Sequence, residues 1–348
     1  MRELRLPLVQ GIDITPVSDW LVANIPGAVA PFTFDLIVGG RSNLTFEVAG
    51  ADGMRFVLRR PPLGHVLATA HDMAREYRII AAVGRTSVPV PPALGVCTDE
   101  AVNGAPFYVM GYVDGVVLDS AERAAALPFD LRRHASEHLI DVLADLHAVD
   151  VDEVGLGDLA KREGYVERQV KRWSTQWEQS KTRELAAIDE VARRLRERLP
   201  QQHGVAIAHG DFRFGNCLTD VGAGRIAAVL DWELCTLGDP LADVGYLGVY
   251  WFDGVAANVR ANDPTSADGF PSYTEMLQRY ALRTGRDLSG IGYYVAFSCW
   301  RLAVISEGVY ARYLHGAMGS QESVDFTTFK VGTEGLAERA LEAMRRLS

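Results

Sequence analysis

Hydrophobic and polar residues alternate in short segments near the start of the chain, as they do in half-buried β-strands. Residues 32–38, 43–48 and 55–60 are interpreted as three such strands, and the short, mainly apolar segments 93–97 and 106–112 as two more. The connections 39–42 and 49–53 are short and contain glycine, which favours antiparallel hairpins. Between the third and fourth segments, residues 69–83 have the spacing of a helix, and a proline-rich stretch ends that helix. The pattern therefore predicts a five-stranded antiparallel sheet carrying one helix.

The rest of the chain is predominantly helical in pattern. Apolar spacing predicts a helix over 131–147 and a long charged helix over 167–199. Between 204 and 232, short β-branched or apolar runs surround polar loops, and binding and catalytic residues concentrate on such loops. We therefore predict a bilobal α+β fold, with a small sheet-containing lobe over 1–112 and a larger, mainly helical lobe over 113–348.

Composition and charge exclude several classes of protein. The chain has 348 residues, with 35 Lys and Arg against 45 Asp and Glu, so its formal net charge is −10. This balance argues against a nucleic-acid partner, because duplex binding depends on neutralising phosphates. No run of 18 uncharged apolar residues occurs and the first residues lack an apolar core of signal-peptide length, so we expect a cytoplasmic protein without a membrane partner. The four cysteines are scattered, which predicts reduced thiols and no zinc site.

The segment HGDFRFGN, residues 209–216, carries the sharpest chemical signal. Asp211 precedes Asn216 by five residues, as in the H-R-D-x-x-x-x-N catalytic loop of protein kinases, and Asp231 follows in the place of their metal-binding Asp. This spacing lets a carboxylate face a substrate hydroxyl while a carbonyl oxygen faces nucleotide-bound Mg²⁺. We predict Asp211 as the catalytic base and Asn216 and Asp231 as metal ligands. A single Asp taken alone would more simply be a turn residue, so the prediction depends on the combination.

The small lobe has a candidate phosphate-binding loop between its first two strands. Small residues there would let backbone N–H groups approach a nucleotide, although a plain hairpin turn has the same composition. The residues concerned are Gly39, Gly40, Ser42 and Asn43.

The third predicted strand ends on two arginines. Arg59 occupies the place of the kinase lysine that contacts the nucleotide phosphates, and Glu76 on the following helix is its expected ion-pair partner. Arginine is not equivalent to lysine here, because its guanidinium is a planar fork. Arg60 is a neighbouring competitor for the same role, and a surface salt bridge of little consequence is the alternative for the Arg59–Glu76 pair.

These motifs resemble the aminoglycoside phosphotransferase and choline kinase superfamily, whose fold is protein-kinase-like. The HGDFRFGN segment and Leu230-Asp231-Trp232 carry the resemblance, which extends from about residue 32 to about residue 341. It implies ATP- and Mg²⁺-dependent transfer of a phosphoryl group to a hydroxyl of a small molecule, with GTP as an alternative donor. It also implies that 1–112 binds the nucleotide and that 113–348 carries catalysis and the substrate. Backbone groups between Met110 and Val113, including Tyr112, would hold the adenine where the lobes join.

Further segments resemble a subgroup, the kinase-like domain found fused to, or encoded beside, acyl-CoA dehydrogenases. They are residues 57–62, 74–77, 107–110, 165–169 with Trp173, and 231–240. What this subgroup phosphorylates is less uniform than its motifs, so an aminoglycoside, a hydroxyacyl-CoA and another hydroxylated metabolite all stay open as acceptors. An anionic acceptor would need nearby cations, for which Arg168, Arg172 and Arg301 are candidates.

Two other functions stay open. Because Arg59 replaces the lysine, a non-catalytic pseudokinase module that binds a nucleotide or a partner is the alternative to an enzyme. A protein acceptor is less favoured, because no A-P-E segment is recognisable and the loop after Asp231 is short. The sequence leaves the oligomeric state open.

Several polar residues near these motifs are predicted to support them. His209 is expected to hold the catalytic loop by hydrogen bonding, and His147 to be a core or capping residue at a helix end. Asp239 and Asp243 are expected to cap a helix and to brace a loop, with the acceptor cleft as the other place for Asp239.

Overall fold

The computed structural model describes residues 9–37, 43–63, 72–251, 263–315 and 327–347. By its internal contacts the chain divides into two units. The first runs to Gly115 and takes in 227–233, and the second comprises 116–226 and 234–348. The functional division at 112/113 stays a prediction, and the sequence did not indicate that 227–233 would return to the first unit.

The first unit is built on a five-stranded sheet. Its strands are β1 Thr33–Leu36, β2 Leu44–Ala49, β3 Arg55–Arg60, β4 Ala93–Cys97 and β5 Phe107–Gly111. Its helices are α1 Ile14–Asn24, α2 Met73–Val83 and the short α3 Glu100–Asn103. The strands are antiparallel in the order β1-β2-β3-β5-β4, which confirms the predicted sheet. Helix α1 was not predicted.

Helix α2 begins at Met73 because the preceding residue caps it. The Asp72 side chain accepts a hydrogen bond from the backbone nitrogen of Arg75 at 2.9 Å, which satisfies one of the free N–H groups of the first turn. The predicted helix began at residue 69, and 69–71 lie outside the described residues.

The two faces of the sheet carry different residues, because side chains alternate along each strand. Phe56 and Leu58 of β3 point into an apolar core that also holds Val17 and Leu21 of α1. Arg59 lies on the opposite face of the sheet. Its partner in register on the neighbouring strand β5 is Tyr108. Alternation therefore places a charged residue beside two core residues without burying it among apolar side chains.

The same alternation separates Arg60 from Arg59. The Arg60 guanidinium is buried and donates to the backbone carbonyl oxygens of Gly11 and Asn103. Arg60 as a competitor for the nucleotide-binding role is therefore wrong, because its side chain is committed to the face that carries α1.

The second unit is mainly helical. Its helices are α4 Ala121–Ala124, α5 Phe129–Ala148, α6 Tyr165–Ser180, α7 Ala186–Glu197, α8 Leu241–Val249, α9 Tyr273–Thr284, α10 Ile291–Leu314 and α11 Thr327–Arg346. Its short strands are β6 Ala206–Ala208, β7 Cys217–Asp220, β8 Arg225–Val229, whose last three residues belong to the first unit, and β9 Thr236–Gly238. Helix α10 packs against α6, α7, α8 and α11. Within the described ranges, no helix is long and apolar enough to cross a membrane.

The single helix predicted over 167–199 is wrong, because the structure has two helices there, α6 and α7. Between them, Thr182 donates its backbone nitrogen and its hydroxyl to Glu307 Oε1 of α10, at 3.1 and 2.6 Å. Glu307 is fully buried. A buried acceptor on a third helix thus fixes the break, and the charge pattern of the two helices gives no sign of it.

Candidate active site

In the first unit, the guanidinium of Arg59 is surrounded by three carboxylates. Its Nε lies 3.2 Å from Glu76 Oε2, and its Nη2 lies 2.5 Å from Asp231 Oδ1 and 3.7 Å from Glu233 Oε2. The Arg59 side chain is 13% exposed and that of Glu76 is 2% exposed. The predicted Arg59–Glu76 ion pair is present, and the alternative of a surface salt bridge is wrong because both groups are withdrawn from water.

Neighbouring elements fix the Glu76 carboxylate in place. Tyr108 of β5 stands beside Arg59 in register and donates its hydroxyl to Glu76 Oε2 at 3.1 Å. Burial raises the pKa of the Glu76 carboxyl, and the positive charge of Arg59 only partly opposes this shift. Burial alone would lower the pKa of Arg59, but the phenol of Tyr108 and the surrounding carboxylates raise it above its ordinary value. The ion pair is therefore largely withdrawn from water.

Asp231 has an uncommon backbone conformation. Its φ is 64°, and no other non-glycine residue in the described ranges has a positive φ. This left-handed conformation is costly for a residue with a Cβ, although Asp tolerates it better than most. The indole nitrogen of Trp232 donates a hydrogen bond to the carbonyl oxygen of Val229 at 3.1 Å. This bond stabilises the turn that contains Asp231. Strained residues of this kind concentrate at functional sites.

The cluster around Arg59 has more negative than positive charge. Three carboxylates face one guanidinium, and the buried Oε1 atom of Glu76 has no hydrogen-bond partner in the described part of the chain. Among the described residues, no group of three or more His, Cys, Asp or Glu side chains is arranged to hold a metal by itself. Mg²⁺ typically takes one or two protein carboxylates and completes its shell with phosphates and water. The donor set around Asp231 fits that ion.

The residues predicted to contact the nucleotide differ in what the structure says of them. Asn43 is buried, and its Nδ2 donates to Glu233 Oε2 at 3.3 Å, which joins the end of the predicted phosphate-binding loop to the carboxylate cluster. Met110 is buried on β5, and the ring of Tyr112 lies 3.5 Å below the guanidinium of Arg55. Three further predicted residues lie outside the described residues, namely Gly39, Gly40 and Ser42.

In the second unit, the structure brings Asp211 and Asn216 together. The Nδ2 of Asn216 donates to the backbone oxygen of Asp211 at 2.8 Å and to its Oδ2 at 2.7 Å. A turn of 3₁₀-helix over Phe214–Asn216 brings the amide back to the carboxylate across five residues. Because the amide nitrogen is committed to Asp211, the Oδ1 carbonyl of Asn216 is the atom left for a cation.

Buried side chains brace this loop from below, as predicted for His209 and Asp243. Asp243 accepts hydrogen bonds from the backbone nitrogens of His209 and Gly210, at 2.6 and 2.8 Å. Burial would raise the pKa of the Asp243 carboxyl, but the hydrogen bond from His147 and the charge of that ring lower it overall. The backbone nitrogen of Asp211 donates to His209 Nδ1 at 3.2 Å. Both histidines are thus buried supports.

Asp239 serves the start of a helix. It is fully buried, and its Oδ1 accepts from the backbone nitrogen of Leu241 at 3.0 Å, at the first residue of α8. Its Oδ2 accepts from the hydroxyl of Tyr294 at 2.8 Å. A place for Asp239 in the acceptor cleft is therefore wrong, because no part of the side chain reaches solvent.

The sequence motifs did not single out Arg213, yet it contacts the predicted base. Its Nε donates to Asp211 Oδ1 at 3.2 Å, and its guanidinium lies 4.8 Å from the centre of the Tyr250 ring. A cavity of about 170 Å³ adjoins it, and its lining includes Arg213, Phe214, Tyr250, Trp251, Leu118 and Asp119. The available signal was a cation two residues after Asp211 in the HGDFRFGN segment.

The three arginines proposed for an anionic acceptor occupy different environments. Arg301 is 5% exposed, and its Nη2 donates to the carbonyl oxygen of Gly210, so its assignment to a substrate is wrong. Arg168 and Arg172 lie on α6 and line a shallow surface groove together with Lys171. A substrate role for these two stays a prediction.

Comparison with known proteins gives the family of the chain. Residues 33–276 match the model of the phosphotransferase enzyme family. Acyl-CoA dehydrogenase family member 11 of Gallus gallus is 35% identical over 318 residues, which cover 89% of this chain and 40% of that protein. The chain spans less than half the length of this relative and of two other curated relatives, acyl-CoA dehydrogenase family member 10 of Mus musculus and member 11 of Rattus norvegicus.

Solved structures of similar proteins agree with this match. A crystal structure from Ralstonia eutropha, provisionally described as an aminoglycoside phosphotransferase, is 31% identical with a TM-score of 0.79 and covers 95% of this chain and 98% of that one. A ternary complex of aminoglycoside phosphotransferase APH(4)-Ia with AMP-PNP and hygromycin B is 17% identical with a TM-score of 0.60, and covers 94% and 98%. The second likeness shows the fold alone.

Proposed function

The chain belongs to the phosphotransferase enzyme family, and on that premise we propose that it transfers the γ-phosphoryl group of ATP, with Mg²⁺, to a hydroxyl of a small molecule. The observation that carries the proposal is the pair formed by Asp211 and Asn216, in which one side chain offers a carboxylate to an acceptor and the other offers a carbonyl oxygen to a cation. A loop needed only for its turn would not require both groups.

The proposed reaction is an in-line displacement. The acceptor oxygen forms a bond to the γ-phosphorus while the bond from that phosphorus to the β,γ-bridging oxygen breaks, which releases ADP. Asp211 accepts the hydroxyl proton and later passes it to water. When bound, Mg²⁺ supplies positive charge to the phosphate oxygens, and we propose the Asn216 carbonyl and the Asp231 carboxylate as the protein ligands for it.

Arg59 is proposed to contact the nucleotide phosphates. It is the cation in a cluster of three carboxylates, so a phosphate would compete for its guanidinium with Asp231. We propose further that Gly39, Gly40, Ser42 and Asn43 cover the phosphates and that backbone groups near Met110 and Tyr112 hold the base, with GTP as the alternative donor. The AMP-PNP complex of a distant structural neighbour supports a nucleotide in this fold.

The test is phosphoryl transfer by the purified chain. MgATP would be incubated with a panel of hydroxylated acceptors, including an aminoglycoside, a hydroxyacyl-CoA and choline, and phosphorylated product would be measured by mass spectrometry. Asp211→Asn should lower kcat by about 10² to 10⁴, the usual contribution of a general base. Asp220→Asn is the matched control, because Asp220 is exposed and, within the described ranges, accepts hydrogen bonds only from its own turn, at Gly222 and Ala223.

Two results would contradict the proposal. One is the absence of transfer to every acceptor and of ATP hydrolysis, with MgATP binding intact. The other is an Asp211→Asn variant as active as Asp220→Asn. The first result would favour the alternative, a non-catalytic module that binds a nucleotide. The observation that supports this alternative is the contact between Arg59 and Asp231, because the guanidinium occupies a carboxylate that the metal needs.

A further inference from the structure

Arg301 is a buried cation without an ion pair in the described part of the chain. It lies on α10, is 5% exposed, and its Nε atom has no hydrogen-bond partner among the described residues. Its guanidinium lies 4.5 Å from the centre of the Tyr246 ring, and its Nη2 donates to the carbonyl oxygen of Gly210. Removing a charged group from water is unfavourable, and an apolar side chain of similar size would fill the same space more favourably. Packing alone therefore does not explain an arginine at this position.

The backbone around Asp211 shows what this cation adds. The nitrogens of His209 and Gly210 are held by Asp243, the nitrogen of Asp211 by the His209 ring, and the oxygen of Asp211 by Asn216. The carbonyl oxygen of Gly210 is held by Arg301. This last group and the nitrogen of Asp211 belong to one peptide unit, so a rotation of that unit would turn the Cα–Cβ bond of Asp211.

Gly210 makes this peptide unit easy to turn. Its φ is +85°, and a Cβ at this position would lie 2.9 Å from the carbonyl oxygen of Leu234. Glycine is therefore required here, and its own backbone offers little resistance to rotation. The orientation of Asp211 must come from side chains around the loop.

A second contact connects Arg301 to the far side of the same carboxylate. The hydroxyl of Tyr246 lies 3.1 Å from that of Tyr250, whose ring packs against the guanidinium of Arg213. Arg213 in turn donates to Asp211 Oδ1. A series of side-chain contacts thus connects the backbone of the loop to the carboxylate of Asp211. It passes through Arg301, Tyr246, Tyr250 and Arg213 in that order.

We propose that Arg301 is a positioning residue, which fixes the Gly210–Asp211 peptide so that the Asp211 carboxylate faces the acceptor. The inference rests on the proposed phosphotransferase function. It assigns to Arg301 an effect on the catalytic step and none on nucleotide binding, because its guanidinium touches the loop backbone and not a surface open to the nucleotide.

The test uses the full chain and MgATP, with water as the acceptor. Arg301→Met removes the charge at similar volume, Arg301→Lys keeps the charge without the planar fork, and Arg312→Met is the control, an exposed arginine on the same helix. Because a misplacement of about 1 Å costs on the order of 10² in rate, we expect Arg301→Met to lower the kcat for ATP hydrolysis by about 10- to 100-fold with KM for MgATP within about twofold. Arg301→Lys should recover part of kcat, and Arg312→Met should match the unsubstituted chain.

Amide hydrogen exchange gives a readout that does not depend on activity. In Arg301→Met, exchange should accelerate at 209–211 while the rest of α10 stays protected, whereas a loss of packing alone would accelerate exchange along α10. A kcat within twofold of the unsubstituted chain, or unchanged exchange at 209–211, would overturn the inference. If the unsubstituted chain neither hydrolyses ATP nor transfers phosphate to any acceptor of the panel, the proposed function fails, and the exchange result alone decides whether Arg301 fixes the Gly210–Asp211 peptide.

Discussion

Replacing Arg59 by methionine should destabilise the first unit strongly, because it leaves Glu76 buried without its counter-charge. The two charged groups approach to 3.2 Å, where unit charges attract by about 5 kcal/mol at an effective dielectric constant of 20. Repulsion among the three carboxylates and protonation of Glu76 reduce the net loss. Breaking a buried pair by removing one partner typically costs about 3–5 kcal/mol, so we expect about 3–4 kcal/mol in the free energy of unfolding.

Two further variants calibrate this expectation. Arg59→Lys keeps the charge, but one ammonium cannot contact Glu76 and Asp231 as the separate nitrogens of the guanidinium do, so we expect a loss of about 1–2 kcal/mol. Arg55→Met is the matched control on the same strand. Its ion pair with Glu47 is 2.7 Å long, but the two side chains are 40% and 30% exposed, so water screens the pair and its loss should destabilise the protein much less than Arg59→Met does.

Two measurements test this expectation at pH 7. Urea unfolding gives the free energy of unfolding, and hydrogen exchange in peptides from β3 and α2 reports the stability of the unit that carries Arg59. The reasoning is refuted if Arg59→Met loses no more free energy than Arg55→Met. Such a result would mean that water or another group replaces the guanidinium and that the cluster is not withdrawn from solvent.

Three other outcomes are expected. Gly210→Ala should cost at least about 1 kcal/mol more than Gly155→Ala in urea unfolding, because both positions have positive φ but only the first is crowded; equal losses would contradict this. Burial raises the pKa of Glu76 above its ordinary value of 4.5, so the stability that its neutral form contributes is complete below about pH 4.5 and is lost as pH rises through the folded pKa. Plotted against pH, the free energies of unfolding of Glu76→Gln and the parent chain should therefore diverge as pH rises above about 4.5, with the parent chain losing stability; parallel curves would contradict this. Asp231→Asn keeps a residue that tolerates the left-handed backbone but loses the charge that faces Arg59, so the comparison is the shift on adding ligand and not the starting stability. Stabilisation by MgATP, about 2.7 kcal/mol at 100 times Kd, should disappear in the variant; an equal shift in both proteins would argue against Asp231 as a metal ligand.

Short-range patterns predicted most of the first unit. Alternation with a period of two and the two tight connections limit the pairing of the first three strands, so the antiparallel sheet follows from local sequence. The Asn216–Asp211 contact was equally accessible, since five residues separate its partners. The fourth and fifth strands, β4 and β5, followed from their apolar runs after the proline-rich stretch.

Long-range features were beyond such patterns. Asp231 reaches Arg59 across 172 residues, and Asn43 reaches Glu233 across 190. No local period encodes these contacts, because they depend on which strand face carries Arg59 and on the turn that reverses the backbone at Asp231. The motif indicated Asp231, whereas Glu233 joins the cluster only through the fold, with its Oε2 3.7 Å from Arg59 Nη2.

Helix α10 shows how sequence can reveal a buried charge before its partner is known. Residues 291–314 are apolar on every side, and their charged members are Arg301, Glu307 and Arg312. A helix with apolar residues all round is buried, so a charged residue near its middle must find a polar partner inside the protein. The structure supplies such partners for both central charges, the carbonyl oxygen of Gly210 for Arg301, and for Glu307 the nitrogen and hydroxyl of Thr182 together with the Arg183 guanidinium, whose Nη2 lies 3.4 Å from Glu307 Oε2. The partners lie in two loops, one in the candidate active site and one between α6 and α7. A single helix therefore fixes two irregular segments through charged residues that stand out in its otherwise apolar sequence.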